Sequence, residues 1–564
     1  MSLQALPQTT AGIDPEKFAD ELFFARNRRV AVIILAVFLA VGFGSRIIDL
    51  GNESLSEDEL NKLQTVEDYR ENGLSAKNGE HPFLMKGMQT VSVIVVERLN
   101  NTISSPALKI SDESAIRFPV ALFGTFTILL LFLLVSELFG RSIGLISAIF
   151  WAIEPMAIGF DRIAKEDSLV LFFFLLTNLF WIRGQTAAER GNPKWLLYLW
   201  ASAAGFAALM ASKYYPHLLG ITGAYYIIFQ QIPGRKWELG KVRWLKFFIV
   251  MGLVFLVLNP TIMLPDTWRE MVKFSGEHRI GHDSYEFMGQ FYRNQVTVWL
   301  AGVPWTFYLV FIAVKTSLST LALCLIGLPL MFRRKLGDGR FFIFFWAYFW
   351  FIPFSVLGGK FTRYFTVAEP LVLISAAVGF YFSAKWISSK LGENAMMAAA
   401  FQSILLVCVL AFPIYNSLAV SSHFRLFTNS IGTYFAPVGS YFPHDEFYDV
   451  SAREVVADIA ARARPWAITA CETPTLFEYY ARKIGRDDLV FVSLSDPSAV
   501  GRLAEGDFVV SAGGRSYLSN VAYVEYLAGS TAPAAETQAM GVVSAQIYQL
   551  DANSVARLHA IAMQ

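Results

Sequence analysis

Residues 118–139 read FPVALFGTFTILLLFLLVSELF, and this run decides the fold class. Its only ionisable residue is Glu137. Crossing the hydrocarbon core of a bilayer takes roughly 20 apolar residues. Because lipid offers no hydrogen-bond partners to free backbone groups, a crossing segment of this kind has to be helical. The run therefore predicts a transmembrane helix.

Similar runs recur along the chain, which is 54% hydrophobic and only 16% charged. Soluble domains carry about 25% charged residues. We predict a mainly α, polytopic membrane protein with about eleven transmembrane helices. They lie near residues 30–48, 118–139, 142–160, 168–182, 195–212, 215–231, 247–263, 317–332, 341–357, 365–384 and 396–416. The shorter run 83–96 is interrupted by Lys86 and predicts an interfacial or re-entrant helix instead.

Basic residues collect in every second connection between these spans, as they do in cytoplasmic loops. Beginning at the N-terminus, these connections contain Arg26, Arg28, Arg29, Arg141, Arg183, Arg190, Lys194, Arg235, Lys236, Lys241, Arg243, Arg333, Arg334, Lys335, Arg340, Lys385 and Lys390. We therefore expect the segment 1–29 in the cytoplasm. An odd number of spans then places the C-terminal tail outside. The expected location is the bacterial inner membrane.

The chain changes character after the last span. Short strand-like runs at 466–470, 489–494 and 507–511 alternate with helical stretches such as 452–463. This alternation predicts a small α/β domain. The predicted organisation is the cytoplasmic segment 1–29, a membrane domain at 30–420 with a first outer loop at 49–117, and an extracytoplasmic soluble α/β domain at 421–564.

Composition and motifs exclude several function classes. A net charge of +1 leaves no basic surplus for neutralising nucleic-acid phosphates. The three cysteines are too few for a disulfide framework. The chain has no HExxH motif, cysteine cluster or nucleotide-binding glycine loop, so metalloprotease and ATP-driven activities have no support.

Ionisable residues gather in the connections that are expected to face outward. Such residues at membrane depth usually mark a pathway or a site. Acids beside bases suit a site that binds an anion and removes a proton. Each group also has a structural explanation: acids in a solvated loop or capping a helix, lysine and arginine at the lipid interface, a histidine in the core. The groups are the acids at 57–59, His81, the stretch 161–168, Lys213 and Arg363.

Five blocks in these connections resemble the protein O-mannosyltransferases in order and spacing, and the last block, which has two parts, also resembles the related aminoarabinose transferases that act on lipid A. His81-Pro82-Phe83-Leu84-Met85-Lys86 resembles that family's His-Pro-Pro-Leu-x-Lys motif, and Asp58-Glu59 resembles the preceding acidic pair. The other blocks are Arg117 to Gly124, Asp161 to Leu169, and Ser212-Lys213-Tyr214 with Arg363-Tyr364.

The resemblance covers about residues 30–390. It implies a GT-C glycosyltransferase fold, a polyprenyl-phosphate sugar donor and an active site at the outer membrane face. It also departs from the family pattern, with Phe83 at the second motif proline and Glu166 before Asp167. The tail matches no sugar-binding module of these enzymes, so the acceptor is left open between a protein Ser or Thr and a glycolipid.

The resemblance also implies residue roles. Asp58 is the expected catalytic base for an inverting transfer, with Glu59 as the second choice. Lys86, Lys213 and Arg363 are expected at the donor phosphate. His81, Arg162, Asp167 and Tyr364 are expected to bind substrate. Glu59 and Asp167 are candidates to hold a divalent ion, which leaves metal dependence open, and no nucleotide cofactor is expected.

Two other function classes compete with this hypothesis. A transporter or a flippase for a polyprenyl-linked substrate predicts charges within the spans and symmetry between two halves of the chain. Here the charges cluster in one set of connections, and the long first outer loop is asymmetric. A non-catalytic assembly protein would have a degenerate set of motifs, whereas Asp58, His81 and Lys86 are all present.

Overall fold

The computed structural model describes residues 21–229, 239–276, 281–295, 299–391 and 394–563. The N-terminal segment 1–20 and the loop residues Arg235 and Lys236 lie outside these ranges. The α-helices up to the last predicted span are α1 Phe23–Arg26, α2 Arg28–Ile47, α3 Glu57–Asn72, α4 Phe83–Thr102, α5 Asp112–Phe139, α6 Arg141–Ile153, α7 Pro155–Phe160, α8 Asp167–Glu189, α9 Trp195–Ser212, α10 Leu219–Phe229, α11 Lys241–Leu258, α12 Pro265–Gly276, α13 Phe307–Lys315, α14 Leu318–Leu330, α15 Gly339–Val356, α16 Glu369–Lys390 and α17 Ala395–Ala419.

Each of the eleven predicted spans coincides with helical structure. Among the described residues, seven helices are long and apolar enough to cross a membrane, and α6 and α14 are shorter apolar helices. The two remaining spans correspond to α10 and α11. This confirms a multi-pass membrane protein that is mainly α-helical.

The third predicted span is not one continuous helix. It breaks into α6 and α7 at Glu154, whose backbone is extended (φ −69°, ψ 130°). Pro155 follows directly, and a proline disfavours helical backbone at the residue before it. The break carries the chain toward the loop at 161–166, which contributes to the site described below.

The first outer loop contains two helices. α3 begins with a capping box, in which the Ser56 hydroxyl accepts from the Glu59 amide and the Glu59 carboxylate accepts from the Ser56 amide. α4 confirms the helix predicted at 83–96 but continues to Thr102. It packs on α5, where Gln89 donates to the Ile116 carbonyl at 3.1 Å.

The helices of the membrane domain pack closely where glycines face each other. A Cβ atom on Gly327 of α14 would lie 1.7 Å from the Ser375 carbonyl oxygen on α16. A Cβ atom on Gly379 of α16 would lie 2.1 Å from the Leu323 carbonyl oxygen. Small residues of this kind let membrane helices approach to backbone contact.

The C-terminal region is an α/β unit, as expected from the sequence. Its five-stranded sheet has the order β4-β3-β5-β7-β6, in which β3 is parallel to β4 and β5, and β7 is antiparallel to β5 and β6. A two-stranded hairpin, β1-β2, lies in the outer connection before α13. The strands are β1 Ser284–Phe287, β2 Gln290–Arg293, β3 Ile468–Cys471, β4 Val490–Ser493, β5 Phe508–Ala512, β6 Ala535–Ala539 and β7 Val542–Gln549. The helices are α18 Ser430–Phe435, α19 Pro443–Phe447, α20 Ala452–Arg462, α21 Pro474–Lys483, α22 Pro497–Val500, α23 Val521–Ser530 and α24 Ala552–Ala562.

The α/β unit shares a hydrophobic core with the first outer loop. Leu60 and Leu63 of α3 are buried in one cluster with Val456 and Phe477. Tyr480 fixes this contact, because its hydroxyl accepts from the Leu55 amide at 2.6 Å and donates to the Glu113 carboxylate at 2.9 Å. The C-terminal unit is thus held over the ends of the membrane helices that adjoin this loop.

Candidate active site

A cavity of about 750 Å³ lies between the first outer loop, the adjoining ends of the membrane helices and the α/β unit. Its walls are rich in charged and aromatic side chains. Five residues expected from the sequence line it: Asp58, His81, Lys213, Arg363 and Tyr364.

Asp58 is held in the ionised form at the cavity wall. It is the second residue of α3, and its side chain is 40% exposed. Its carboxylate lies 2.5 Å from the Lys165 ammonium and 3.7 Å from the Arg363 guanidinium, and it accepts from the Tyr448 hydroxyl at 3.0 Å. Burial raises the pKa of Asp58, but Lys165 and Arg363 outweigh burial and hold the pKa well below its usual value.

A second acidic group meets two bases beside Asp58. The Glu166 carboxylate lies 2.5 Å from the Lys62 ammonium and 3.5 Å from His81 Nδ1. Burial raises the pKa of Glu166, and the nearby bases, Lys62 first, lower it to well below the usual value. Burial lowers the pKa of His81 well below its usual value, so the imidazole is neutral near pH 7.

Lys213 presents its ammonium to the cavity from the end of α9. It pairs with the Asp167 carboxylate at 2.8 Å. The same ammonium lies over the rings of Tyr215 and Tyr364, at 4.8 and 4.7 Å from their centroids. Burial lowers the pKa of Lys213, and the Asp167 carboxylate more than reverses this and raises it. A fixed positive charge therefore faces the cavity between two aromatic rings.

Arg363 bridges the membrane domain and the α/β unit. It lies in the 3₁₀ helix Thr362–Val367 before α16. Its guanidinium contacts Asp58 and also lies 3.5 Å from the Asp445 carboxylate of α19. Asp445 is itself positioned by the Thr362 amide at 2.7 Å and the Tyr285 hydroxyl at 2.6 Å.

Four residues expected at the site do not line the cavity: Glu59, Lys86, Arg162 and Asp167, the last of which pairs with Lys213. Glu59 pairs with Arg117 through two hydrogen bonds of 2.8 and 2.7 Å and accepts from the Ala164 amide. Successive residues of a helix point about 100° apart, so Asp58 faces the cavity while its neighbour Glu59 faces the core. The Glu59 carboxylate thereby joins the first outer loop to the loop at 161–166.

Lys86 and Arg162 also use their charges on backbone carbonyls. The Lys86 ammonium donates to the carbonyls of Asn78 and His81 at 2.7 and 2.9 Å. Burial lowers the pKa of Lys86 to about 7. The Arg162 guanidinium donates to carbonyls of Ser45, Ile48 and Asp49 at the end of α2. In this arrangement, both side chains secure loop backbone next to the cavity.

Several cavity residues were not singled out from the sequence. Lys62 belongs to the first outer loop, and Lys165 lies inside one of the resembling blocks. Other residues come from the hairpin connection and the α/β unit, where no sequence signal marks them. Among them are His282, His444, Tyr448, Arg515 and Tyr517.

The residues of the α/β unit form a connected group at the cavity. The Arg515 guanidinium contacts the carboxylates of Asp449 and Glu57, the latter at 3.2 Å, and lies 2.9 Å from His282 Nε2. The His282 ring stacks on Tyr517 at a centroid distance of 4.0 Å and an interplanar angle of 13°. This group lines the same cavity as Asp58 and Lys213 and contacts Glu57, the residue before Asp58.

Within the described ranges, no group of three or more His, Cys, Asp or Glu side chains is arranged to hold a metal ion. The two residues proposed from the sequence as metal ligands, Glu59 and Asp167, each pair with a cation instead.

Part of this chain is similar to known mannosyltransferases. The family model described as "Dolichyl-phosphate-mannose-protein mannosyltransferase" matches residues 105–263. "Putative mannosyltransferase YkcB" of Bacillus subtilis (strain 168) is 26% identical over 196 residues, which are 34% of this chain and 25% of that protein. The chain therefore spans about a quarter of the length of this curated relative. The resemblance to the mannosyltransferases is confirmed over this stretch; the blocks at 58–86 and at 363–364 lie outside the family match.

Solved structures share the architecture at low sequence identity. The apo oligosaccharyltransferase of Archaeoglobus fulgidus aligns with a TM-score of 0.51 and 10% identity, over 86% of this chain and 69% of that chain. ArnT of Cupriavidus metallidurans, solved with undecaprenyl phosphate, aligns with a TM-score of 0.48 and 13% identity, over 93% of this chain and 98% of that chain. The expected GT-C membrane fold is confirmed; at these identities the likeness concerns the fold alone.

Proposed function

We propose that this protein is an inverting glycosyltransferase that moves a monosaccharide from a polyprenyl-phosphate donor to an acceptor hydroxyl at the outer membrane face. One observation carries this proposal. An ionised carboxylate, Asp58, shares one cavity with the cations Lys165, Lys213 and Arg363. The cavity thus offers both a proton acceptor and groups that stabilise a leaving phosphate.

In the proposed reaction, Asp58 takes the proton of the acceptor hydroxyl. The acceptor oxygen forms a bond to the anomeric carbon from the face opposite the phosphate, and the bond from that carbon to the phosphate oxygen breaks with its electron pair going to the phosphate. A carboxylate with a low pKa is a weak base. Proton transfer therefore follows the start of bond formation, when the attacking O–H has become strongly acidic.

Lys213 and Arg363 are the proposed partners of the donor phosphate. Both face the cavity, and charge-assisted contacts to a phosphate are about twice as strong as neutral hydrogen bonds. Lys213 is fixed by Asp167 and by two tyrosine rings, so its ammonium needs little reorganisation. Tyr364 and the neutral His81 complete the donor side as hydrogen-bonding groups. Lys86, Glu59 and Arg162 are assigned a positioning role, because their charged atoms are occupied within the wall.

The α/β unit is the proposed acceptor side. Arg515, Tyr517 and His282 line the same cavity as Lys213 but come from the α/β unit and the hairpin connection. An inverting transfer needs the acceptor and the leaving phosphate on opposite faces of the sugar. Ring faces and hydrogen-bond donors suit either a peptide or a glycan. Tyr517→Phe should then raise the KM for the acceptor while leaving the KM for the donor unchanged.

The proposed topology follows from the basic connections. The N-terminus lies in the cytoplasm, and the cavity and the α/β unit lie outside the inner membrane. A reporter that is active only in the cytoplasm should be silent when it is fused after Gln564. Strong activity of that fusion would place the cavity on the cytoplasmic face and overturn this part of the proposal.

The activity is tested with purified protein in liposomes that contain radiolabelled polyprenyl-phosphate sugars, starting with mannose, and extracted membrane acceptors. Transfer of label to an acceptor together with release of polyprenyl phosphate supports the proposal. Movement of labelled donor between the leaflets with no new glycosidic bond would instead support the flippase alternative. A comparison of glycans from a deletion strain and its parent identifies the sugar and the acceptor.

A further inference from the structure

Helix α12 has one polar and one apolar side, and part of the apolar side is uncovered. The helix reads PDTWREMVKFSG. Asp266, Glu270 and Lys273 recur on one face, with the three- and four-residue spacing of a helix. On the other side, 55% of Trp268 is exposed, and Met263 just before the helix is 71% exposed.

The helix is fixed to the wall of the cavity. Thr267 is fully buried against the first outer loop, where a Cβ atom on Gly79 would lie 3.2 Å from the Thr267 Cα. The Thr267 hydroxyl donates to the Thr261 carbonyl at 2.7 Å, which ties α12 to the 3₁₀ helix Pro260–Met263. Near the end of α12, Phe274 lines the cavity.

The uncovered apolar surface continues that of a membrane span. α11 leads into α12 through the 3₁₀ helix, and Val257 near the end of α11 is 76% exposed. An apolar side chain at this position of a transmembrane helix faces lipid. Met263 and Trp268 continue this series of exposed apolar side chains along the chain beyond the span, and the covering partner consistent with the series is the outer leaflet.

Trp268 is suited to the membrane interface. Its indole N–H donates to the Ile262 carbonyl at 2.9 Å, so the ring can enter the acyl boundary without an unpaired donor. Tryptophan is enriched at this level of membrane proteins. A helix with a charged face and a short apolar face lies in the plane of the interface.

Trp268 and Phe274, two of the apolar side chains of α12, face different surroundings. At about 100° per residue, Trp268 and Phe274 lie about 120° apart around the helix axis. Trp268 is exposed, and Phe274 lines the cavity. The helix therefore presents an exposed apolar side chain on one side and a cavity-lining side chain on another.

We propose that α12 lies in the outer leaflet and forms one side of the entrance through which the polyprenyl chain of the donor reaches the cavity. This inference rests on the proposed function, since only a lipid-linked donor needs such an entrance. It assigns Trp268 and Met263 to contact with lipid and with the polyprenyl chain, apart from the groups that carry the chemistry.

Two variants, Trp268→Glu and Met263→Glu, test the entrance in liposomes. Each is assayed with undecaprenyl-phosphate mannose and with a two-isoprene analogue that enters from water. We expect kcat/KM for the long-chain donor to fall about tenfold, corresponding to about 1.4 kcal/mol, while the value for the short-chain donor stays within about twofold. Trp466→Glu is the matched control, because Trp466 is 72% exposed on the α/β unit.

A second measurement tests the membrane contact without activity. Trp268→Cys in a Cys408→Ser background carries a fluorescent label, and nitroxide lipids quench labels that lie in the leaflet. Quenching well above that of a label at Trp466→Cys supports the proposal, and equal quenching overturns it. In the activity assay, an equal loss of kcat/KM with both donors in the glutamate variants, or no loss with either donor, contradicts the proposed entrance. If the wild-type protein uses neither donor while the label is quenched, the proposed function fails and the entrance fails with it, whereas the membrane contact of α12 stands.

Discussion

Among single residues, Asp58 is the one on which the proposed proton transfer depends. Asp58→Asn keeps the size of the side chain and its contact with Tyr448 but cannot accept the acceptor proton. Turnover should fall by about 10²–10⁴-fold, the usual contribution of a general base, while the Kd of the donor stays near the wild-type value. Single-turnover transfer and donor binding measure the two effects separately.

The matched control for Asp58 is Asp266→Asn, on the exposed face of α12. Glu59→Gln is informative as well, because it weakens a buried pair with Arg117 and should lower stability in addition to activity. If Asp58→Asn turned over normally while a folded Glu59→Gln did not, the base would have to be reassigned.

The charge of Lys165 should make kcat/KM depend on pH. Burial lowers the pKa of Lys165 to about 8, although the Asp58 carboxylate opposes this. Lys165 is therefore protonated below about pH 8 and loses its charge above it, which removes the cation nearest to Asp58. We expect kcat/KM to decline as the pH rises through about 8. Lys165→Arg should extend the plateau to higher pH, because arginine stays charged there; an unchanged alkaline limb in this variant would exclude Lys165 as its source.

At the scale of elements, Lys86 should act through the start of α4. Its ammonium holds the carbonyls of Asn78 and His81, and a hydrogen bond to a charged group contributes about 1.5–3 kcal/mol. Lys86→Met should therefore lower the thermal unfolding temperature more than Lys213→Met does. Lys213→Met should weaken donor binding more strongly. Thermal unfolding in detergent and donor titration distinguish the two roles. If Lys86→Met weakened donor binding more and lowered the unfolding temperature less than Lys213→Met, Lys86 would have to be assigned to the donor phosphate.

At the scale of the whole molecule, the α/β unit and the first outer loop should fold together. Leu55, Leu60 and Leu63 are buried against the α/β unit, and burying one such side chain contributes about 1.5–3 kcal/mol. Truncation after residue 442 would expose all three and remove Tyr448. We expect aggregation on size-exclusion chromatography in detergent. A monodisperse truncated protein that still binds donor would show that the loop is stable alone.

Sequence patterns alone predict the membrane class, the positions of helices at the eleven predicted spans and the α/β character of the tail. These properties follow from local patterns: the length of an apolar run and the alternation of strand and helix. The blocks around Asp58, His81, Lys213 and Arg363 could also be found, because short motifs keep their spacing.

Which charges face the cavity depends on the tertiary packing. Asp58 and Glu59 are neighbours in sequence, yet Asp58 faces the cavity and Glu59 pairs with Arg117. Successive helical residues point in different directions, and Glu59 is the one that points into the core. Arg515 lies 458 positions from Glu57 in sequence and contacts it through the docking of the α/β unit on α3. Pairings of this range depend on how the shared core packs, and no local pattern encodes them.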